Sequence, residues 1–168
     1  MRAEALAAGK RVYMAVPRLA GERPFLLLDP ERVDGPLRRA ASIKGASSAG
    51  QPVALSDVRH IDLVVCGTVA VNRRGVRVGK GGGYSDIEFA LLSETGAVDR
   101  RTIVATTVHP LQVLEEELPE TRHDFRVDLV VTPDEVIRCR RAHRPRGIVA
   151  SHLDREMAAA IPVLSGRT

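Results

Sequence analysis

Ile61-Asp62-Leu63-Val64-Val65-Cys66-Gly67, then Arg77-Val78-Gly79-Lys80-Gly81-Gly82-Gly83-Tyr84-Ser85-Asp86, then Ile87-Glu88-Phe89-Ala90-Leu91-Leu92-Ser93-Glu94 reads as a strand, a glycine loop and a helix. The first run is short, apolar and β-branched, which is the pattern of a buried strand. The last spaces Ile87, Ala90, Leu91 and Glu94 as one helical face, and Gly96 is placed to stop it. This order is the setting an anion site requires, because the free amides at a helix start point back at the loop.

The loop itself carries the chemistry. Without Cβ atoms, Gly79, Gly81, Gly82 and Gly83 let the backbone reach positive φ and turn successive N–H groups toward one anion. Arg77 and Lys80 add full positive charge. Asp86 suits magnesium, which prefers one or two carboxylates with water and substrate oxygens. The plainer alternative is a glycine-rich hairpin turn with solvated charges. No Lys-Ser or Lys-Thr closes the loop, and its glycine spacing is not that of a dinucleotide fold, so a Walker loop and the usual NAD fingerprint are both disfavoured.

Outward from this centre, strands alternate with helices. Val12–Val16 reads as a first strand ended by Pro17, and Phe25–Leu28 as a second closed by Asp29-Pro30, with Gly21-Glu22-Arg23-Pro24 turning between them. Leu37–Ile43 has a short helical pattern, and Val53–Val58 leads into the strand at 61. Thr102–Val108 is a β-branched strand ended by His109-Pro110, and Arg126–Thr132 and Glu135–Ile137 are two more. Ser151–Asp154 looks like a capping box for a last helix through Ile161. The alternation predicts an α/β fold, an open, mostly parallel sheet covered by helices in three layers, Rossmann-like, with ligands at the carboxyl edge.

The bulk numbers agree. A chain of 168 residues with 44% hydrophobic content supports one domain over residues 1–168, with 138–168 as a basic connector and C-terminal helix. Only 3% of residues are aromatic, so the core is built from Val, Leu, Ile and Ala. No apolar run approaches the ~18 residues of a membrane span, and the first residues lack a signal-peptide core; a cytoplasmic location is expected. Cys66 and Cys139 are too few for a disulfide framework and lack zinc spacing. Cys66 reads as a small core residue rather than a nucleophile.

The wording around the loop resembles the 5-formyltetrahydrofolate cyclo-ligase family, also called methenyltetrahydrofolate synthetase. Three blocks carry it. Gly9–Arg18 looks like the family's GK-x-V-Y-x-P strand. Asp62–Asp86 is similar to its D-L-I-x-x-P-G strand and its G-x-R-L-G-R-G-x-G-Y-Y-D loop. Gln112, Pro119, His123-Asp124, Asp128 and Val131-Thr132 fall in the order of its Q, LP, HD, D, VT segment. The tail, Arg144–Ile148 followed by Ile161–Leu164, resembles the C-terminal extension of a divergent branch that also carries the triple-glycine loop.

The resemblance implies an ATP- and Mg2+-dependent reaction on a reduced folate. The γ-phosphate activates the formyl oxygen of 5-formyltetrahydrofolate, N10 attacks, and phosphate leaves to give 5,10-methenyltetrahydrofolate. It assigns Arg77, Gly79, Lys80, Gly81, Gly82, Gly83 and Tyr84 to the nucleotide, Lys80 and Tyr84 to catalysis, and Asp86 and Asp124 to magnesium. Phosphoryl transfer is mostly positioning and charge stabilisation, which is why metal and cations matter there. Lys80 stands where the family usually has Arg, which exchanges a bidentate fork for a point charge. Gly82 replaces a frequent Lys and Ser85 a second Tyr. The family's helical segment before the first strand, which supplies ATP-binding cations and a folate-contacting Glu, is expected to be lacking, since Met1 lies close to Lys10.

The net charge of +4 draws on a dense run, Arg138-Cys139-Arg140-Arg141-Ala142-His143-Arg144-Pro145-Arg146. It attracts phosphates and carboxylates. RNA binding is one reading of it, but no aromatics interleave it for base stacking; a solvated connector is the other. His109 either reaches a ligand or ends its strand, and His123 either works or braces its loop; His60, His143 and His152 read as structural or solvated. Three functions compete: a folate enzyme acting on ATP and reduced folate, a non-catalytic nucleotide- or RNA-binding relative, and a self-associating homo-oligomer module.

Overall fold

The computed structural model describes residues 1–140, 144–153 and 155–165. It forms two compact units, one of Met1–Val58 with the stretch after Leu153, the other of Arg59–Leu153.

In the first unit, α1 (Arg2–Ala7) leads into β1 (Val12–Ala15) and β2 (Phe25–Leu28). These pair as an antiparallel hairpin, with Tyr13 opposite Leu27. Helices α2 (Leu37–Ala40) and α3 (Ile43–Ala49) follow, and β3 (Gln51–Val53) adds to β2 antiparallel. The sequence pattern has no helix before Val12, and one helix where the chain forms α2 and α3. Ser42 is the reason for the split: its hydroxyl accepts the Gly45 N–H at 2.9 Å and starts a new helix. Gly45 is obligatory there, since a Cβ would lie 1.8 Å from the Arg39 carbonyl oxygen. Leu6, Leu26, Leu28, Ala40, Ala41 and Ala46 make the core of this unit. After Leu153 the described residues contain α5 (Arg155–Ala160). The expected capping box includes Asp154, which lies outside the described residues, as do Arg141–His143 of the basic run.

In the second unit, β4 (Leu63–Cys66) precedes a small sheet of β5 (Ala70–Asn72), β6 (Arg77–Val78) and, later, β8 (Val113–Leu114). Then come α4 (Tyr84–Glu94), β7 (Ile103–Thr107), β9 (Leu129–Val131) and β10 (Val136–Arg138). The main sheet has the order β10-β9-β7-β4; β4, β7 and β9 run parallel and β10 antiparallel at one edge. The mixed α/β class with an open, mostly parallel sheet is thus as the sequence predicts. Gly96 closes α4 at φ 74°. Val104 and Val130 are fully enclosed at the centre.

One strand departs from its reading. β4 is an edge strand, with Leu63 52% and Val65 42% exposed, so half of its apolar run is not buried. A continuous apolar run cannot tell a central strand from an edge one.

The start of the parallel ladder is held by a side chain. Asp128 Oδ2 accepts the Val104 N–H at 2.8 Å and pairs with Arg144. Arg144 also donates to the Thr102 carbonyl at 2.9 Å. The expected solvated connector is therefore anchored in the sheet at this residue. Removing the cation leaves a nearly buried carboxylate without its counter-charge, so Arg144→Ala should destabilise the chain by about 2–3 kcal/mol. Urea denaturation checks this, and a loss under about 0.5 kcal/mol would show the pair to be a surface contact.

Candidate functional site

The glycine loop lies between β6 and α4, as its neighbours predict. The β5–β6 hairpin presents it: Asn72 Oδ1 accepts the N–H groups of Arg74 and Val76 at 3.0 and 3.1 Å and fixes the turn. Within the loop Gly81 and Gly83 adopt φ 85° and 63°, the left-handed conformation expected of an anion-cradling backbone. Gly83 is the N-cap of α4, and no side chain caps that start, which leaves the first amides for water or a ligand. A Cβ on Gly82 would sit 3.1 Å from the Tyr84 ring, so the half-buried tyrosine packs along the bare loop. Lys80 is exposed in mid-loop, with no carboxylate partner among the described residues.

Arg77 is different. Its side chain is 3% exposed, and its guanidinium donates to Asp86 Oδ1 at 2.7 Å. The same group lies 4.0 Å from the centroid of Phe125, whose ring stacks on Phe89 at 4.4 Å. Its Nε is buried without a hydrogen-bond partner among the described residues. A Cβ on Gly79 would lie 3.5 Å from Nη1, which puts the cation directly beneath the loop. Charge enters the site from Arg77 by field and from Lys80 by reach.

Asp86 takes its place from α4 and from the Phe125 N–H, 3.5 Å from the same oxygen that meets Arg77. Burial pushes its carboxyl above the ordinary range, Arg77 opposes this, and the charge of Asp124 adds to the rise. The two predicted metal ligands are therefore electrostatic neighbours. Asp124 Oδ2 accepts the N–H and hydroxyl of Thr121 at 2.6 and 3.0 Å. Oδ2 of Asp86 accepts no hydrogen bond from the described residues, and Oδ1 of Asp124 faces His123 Nε2 at 3.6 Å. Among the described residues no set of three or more His, Cys, Asp or Glu side chains forms a metal cage. His123 stands 3.6 Å from Asp124 and shares a 2.8 Å contact with His152, which makes it a brace of the loop.

The ends of β4 and β7 adjoin this centre. Thr106 donates to the Cys66 carbonyl at 2.9 Å and meets the Thr68 hydroxyl at 2.7 Å. Burial pushes the Cys66 thiol up, away from the reactive thiolate. Gln112 donates to the carbonyls of Thr68 and Val69 at 3.1 and 3.0 Å, tying the loop after β4 to the turn after β7. An open cleft of about 430 Å³ lies at the ends of β7 and β9.

Sequence reasoning did not find Glu88 or Phe125. Glu88 sits two residues after Asp86, and burial, aided by the Asp86 charge and opposed by Arg77, pushes its carboxyl up to about 7. The i, i+2 spacing of the two acids was the available signal. A carboxyl that titrates at about 7 folded and 4.5 unfolded favours folding below pH 4.5, and the contribution is lost as pH rises through 7. Glu88→Gln should therefore raise the melting temperature at pH 8 by about 3 °C and leave it unchanged at pH 4; an equal shift at both pH values in thermal melts would refute a buried, titrating Glu88.

The 5-formyltetrahydrofolate cyclo-ligase family matches residues 1–133. A methenyltetrahydrofolate synthase domain-containing protein of Danio rerio is 38% identical over 168 residues, covering 98% of this chain and 44% of that protein. Its human counterpart of the same name is 42% identical over 132 residues, 76% of this chain and 34% of that protein, and the Mus musculus one 44% identical over 132 residues. The chain spans less than half the length of these curated relatives. The loop, the acids and the strands that carry them lie within the matched span, and the chain belongs to the 5-formyltetrahydrofolate cyclo-ligase family.

Proposed function

We propose that the chain binds magnesium-ATP on Gly79–Gly83 and uses it to close 5-formyltetrahydrofolate to 5,10-methenyltetrahydrofolate. The observation that carries this is the loop's own geometry: left-handed Gly81 and Gly83 run straight into an uncapped helix of 11 residues, with Lys80 exposed above and Arg77 buried below. A chain of phosphates meets amides, a mobile cation and a fixed one at a single place.

The residues divide the work. Lys80 grips the terminal phosphates and follows the charge that develops as the phosphoryl group moves to the formyl oxygen. Tyr84 lines the loop and offers its hydroxyl. Arg77 is a positioning residue, since its guanidinium is buried beneath the loop, held by Asp86 through Nη2, and its charge acts through the loop. Asp86 and Asp124 would hold the metal. A carboxylate whose proton affinity is raised by burial and by the charge of Asp124 suits a divalent cation, and the lack of a third protein ligand among the described residues suits magnesium, which keeps water and phosphate oxygens around it. When bound, magnesium neutralises phosphate charge and orients the transferred group. Two free cysteines and an absence, among the described residues, of helices long and apolar enough to cross a membrane accord with a cytoplasmic place, where ATP and folates occur.

A second reading, nucleotide binding without turnover, is favoured by one observation: with Arg77 internal, Lys80 is the exposed cation of the loop. The RNA reading loses support where Arg144 of the basic run is committed to Asp128. Titration calorimetry of magnesium-ATP, followed by addition of 5-formyltetrahydrofolate and detection of the methenyl product, separates these. Parent chain should bind ATP at micromolar concentration. Lys80→Ala and Asp86→Ala should each weaken it at least tenfold, about 1.4 kcal/mol. Binding with no methenyl product would establish the second reading, and no binding at millimolar ATP would sink both.

A further inference from the structure

We propose that Phe125 is a positioning residue for the glycine loop: the face of its ring holds the Arg77 guanidinium beneath Gly79, so the affinity of the loop for anions follows the electron density of that ring. The affinity half of this inference rests on the reading of the loop as a phosphate site; the placement of Arg77 does not.

Hydrogen bonds alone do not fix this cation. A guanidinium carries five N–H donors. Among the described residues the side chain of Arg77 makes one hydrogen bond, from Nη2 to Asp86 Oδ1 at 2.7 Å, and its Nε is enclosed without an acceptor. One bond leaves the plane of the group free to turn about it. A side chain that is 3% exposed has also given up most of its water, and a buried charge needs contacts in exchange.

The ring supplies them. Cζ of Arg77 lies 4.0 Å from the centroid of Phe125, within the range in which a guanidinium is attracted to an aromatic face. Phe125 is 1% exposed and is backed by Phe89, stacked on it at 4.4 Å and 24°. The chain has three phenylalanines and no tryptophan, so two of its three phenyl rings are committed to this one cation. A Cβ on Gly79 would come within 3.5 Å of Nη1, and at such a separation a small displacement of the charge changes the field at the loop. The Phe125 N–H also lies 3.5 Å from Asp86 Oδ1, so residue 125 meets both members of the buried pair. An aliphatic side chain of similar volume would fill the space and offer the charge no π face. Packing and charge therefore call for different behaviour when the ring keeps its shape and loses its electrons.

The test replaces Phe125 of the full chain with 4-fluoro-, 3,5-difluoro- and 3,4,5-trifluorophenylalanine, which draw electrons from the ring face with little change of shape. Titration calorimetry should show magnesium-ATP binding fall step by step, about tenfold in all, with the melting temperature held. The same series at Phe89, which touches the ring rather than the cation at the loop, should stay within twofold of the parent. In ligand-free chain labelled with 15N-arginine, the Arg77 Nε–H should exchange with water faster at each step of the Phe125 series. Phe125→Leu should match the trifluoro chain in both measurements. An ungraded response at Phe125, or an equal loss from the Phe89 series, would make the ring plain packing and overturn the proposal. If the parent chain binds no ATP, the phosphate reading of the loop fails by itself, and the exchange rate alone decides: unchanged exchange across the Phe125 series overturns the placement of Arg77 by the ring.

Discussion

The buried pairing of Arg77 with Asp86 is the constraint on which the site depends. A guanidinium with 3% exposure needs an anion and a surface that tolerates its face. Asp86 supplies the first and the Phe125 ring the second. Because Asp86 lies in the first turn of α4 and Arg77 in β6, the pair fixes the distance between the two ends of the glycine loop. Five loop residues then have a set span to cross, and left-handed Gly81 and Gly83 are the means of crossing it. Phe125 joins the pair to the segment that carries Asp124, so loop, helix and second carboxylate are placed by one contact set.

That arrangement leaves negative charge close together. Burial disfavours ionisation of Asp86 and Glu88, the charge of Asp124 adds to the effect at Asp86, and Arg77 opposes it at both acids without cancelling it. Such crowding costs folding stability and is kept where charge is wanted for a ligand. A cation bound beside Asp86 would act against the rise that burial imposes on its carboxyl.

Much of this was legible in the residues. Strand, glycine loop and helix follow from an apolar β-branched run, four glycines and a 3.6-residue spacing, and the structure has all three. The strands at 12, 25, 103, 129 and 136 were visible for the same reason. What the pattern hid has physical causes. β5, β6 and β8 are two or three residues long, too short for a period of two to register. The role of Arg77 was hidden because nothing local says whether an arginine points to solvent or folds over a phenylalanine 48 positions later.

Asp128 bears on how the chain reaches its fold. Parallel strands have no tight turn to align them, so their register must come from elsewhere. Here a carboxylate supplies it by taking the Val104 amide, and a slip by one residue would turn that charge to the opposite face. Its counter-charge, Arg144, lies 16 residues further along. During synthesis the three parallel strands thus leave the ribosome before the cation that pairs with Asp128. Until Arg144 emerges the carboxylate that aligns Val104 lacks this counter-charge, so the parallel strands are complete before the pair that secures their register.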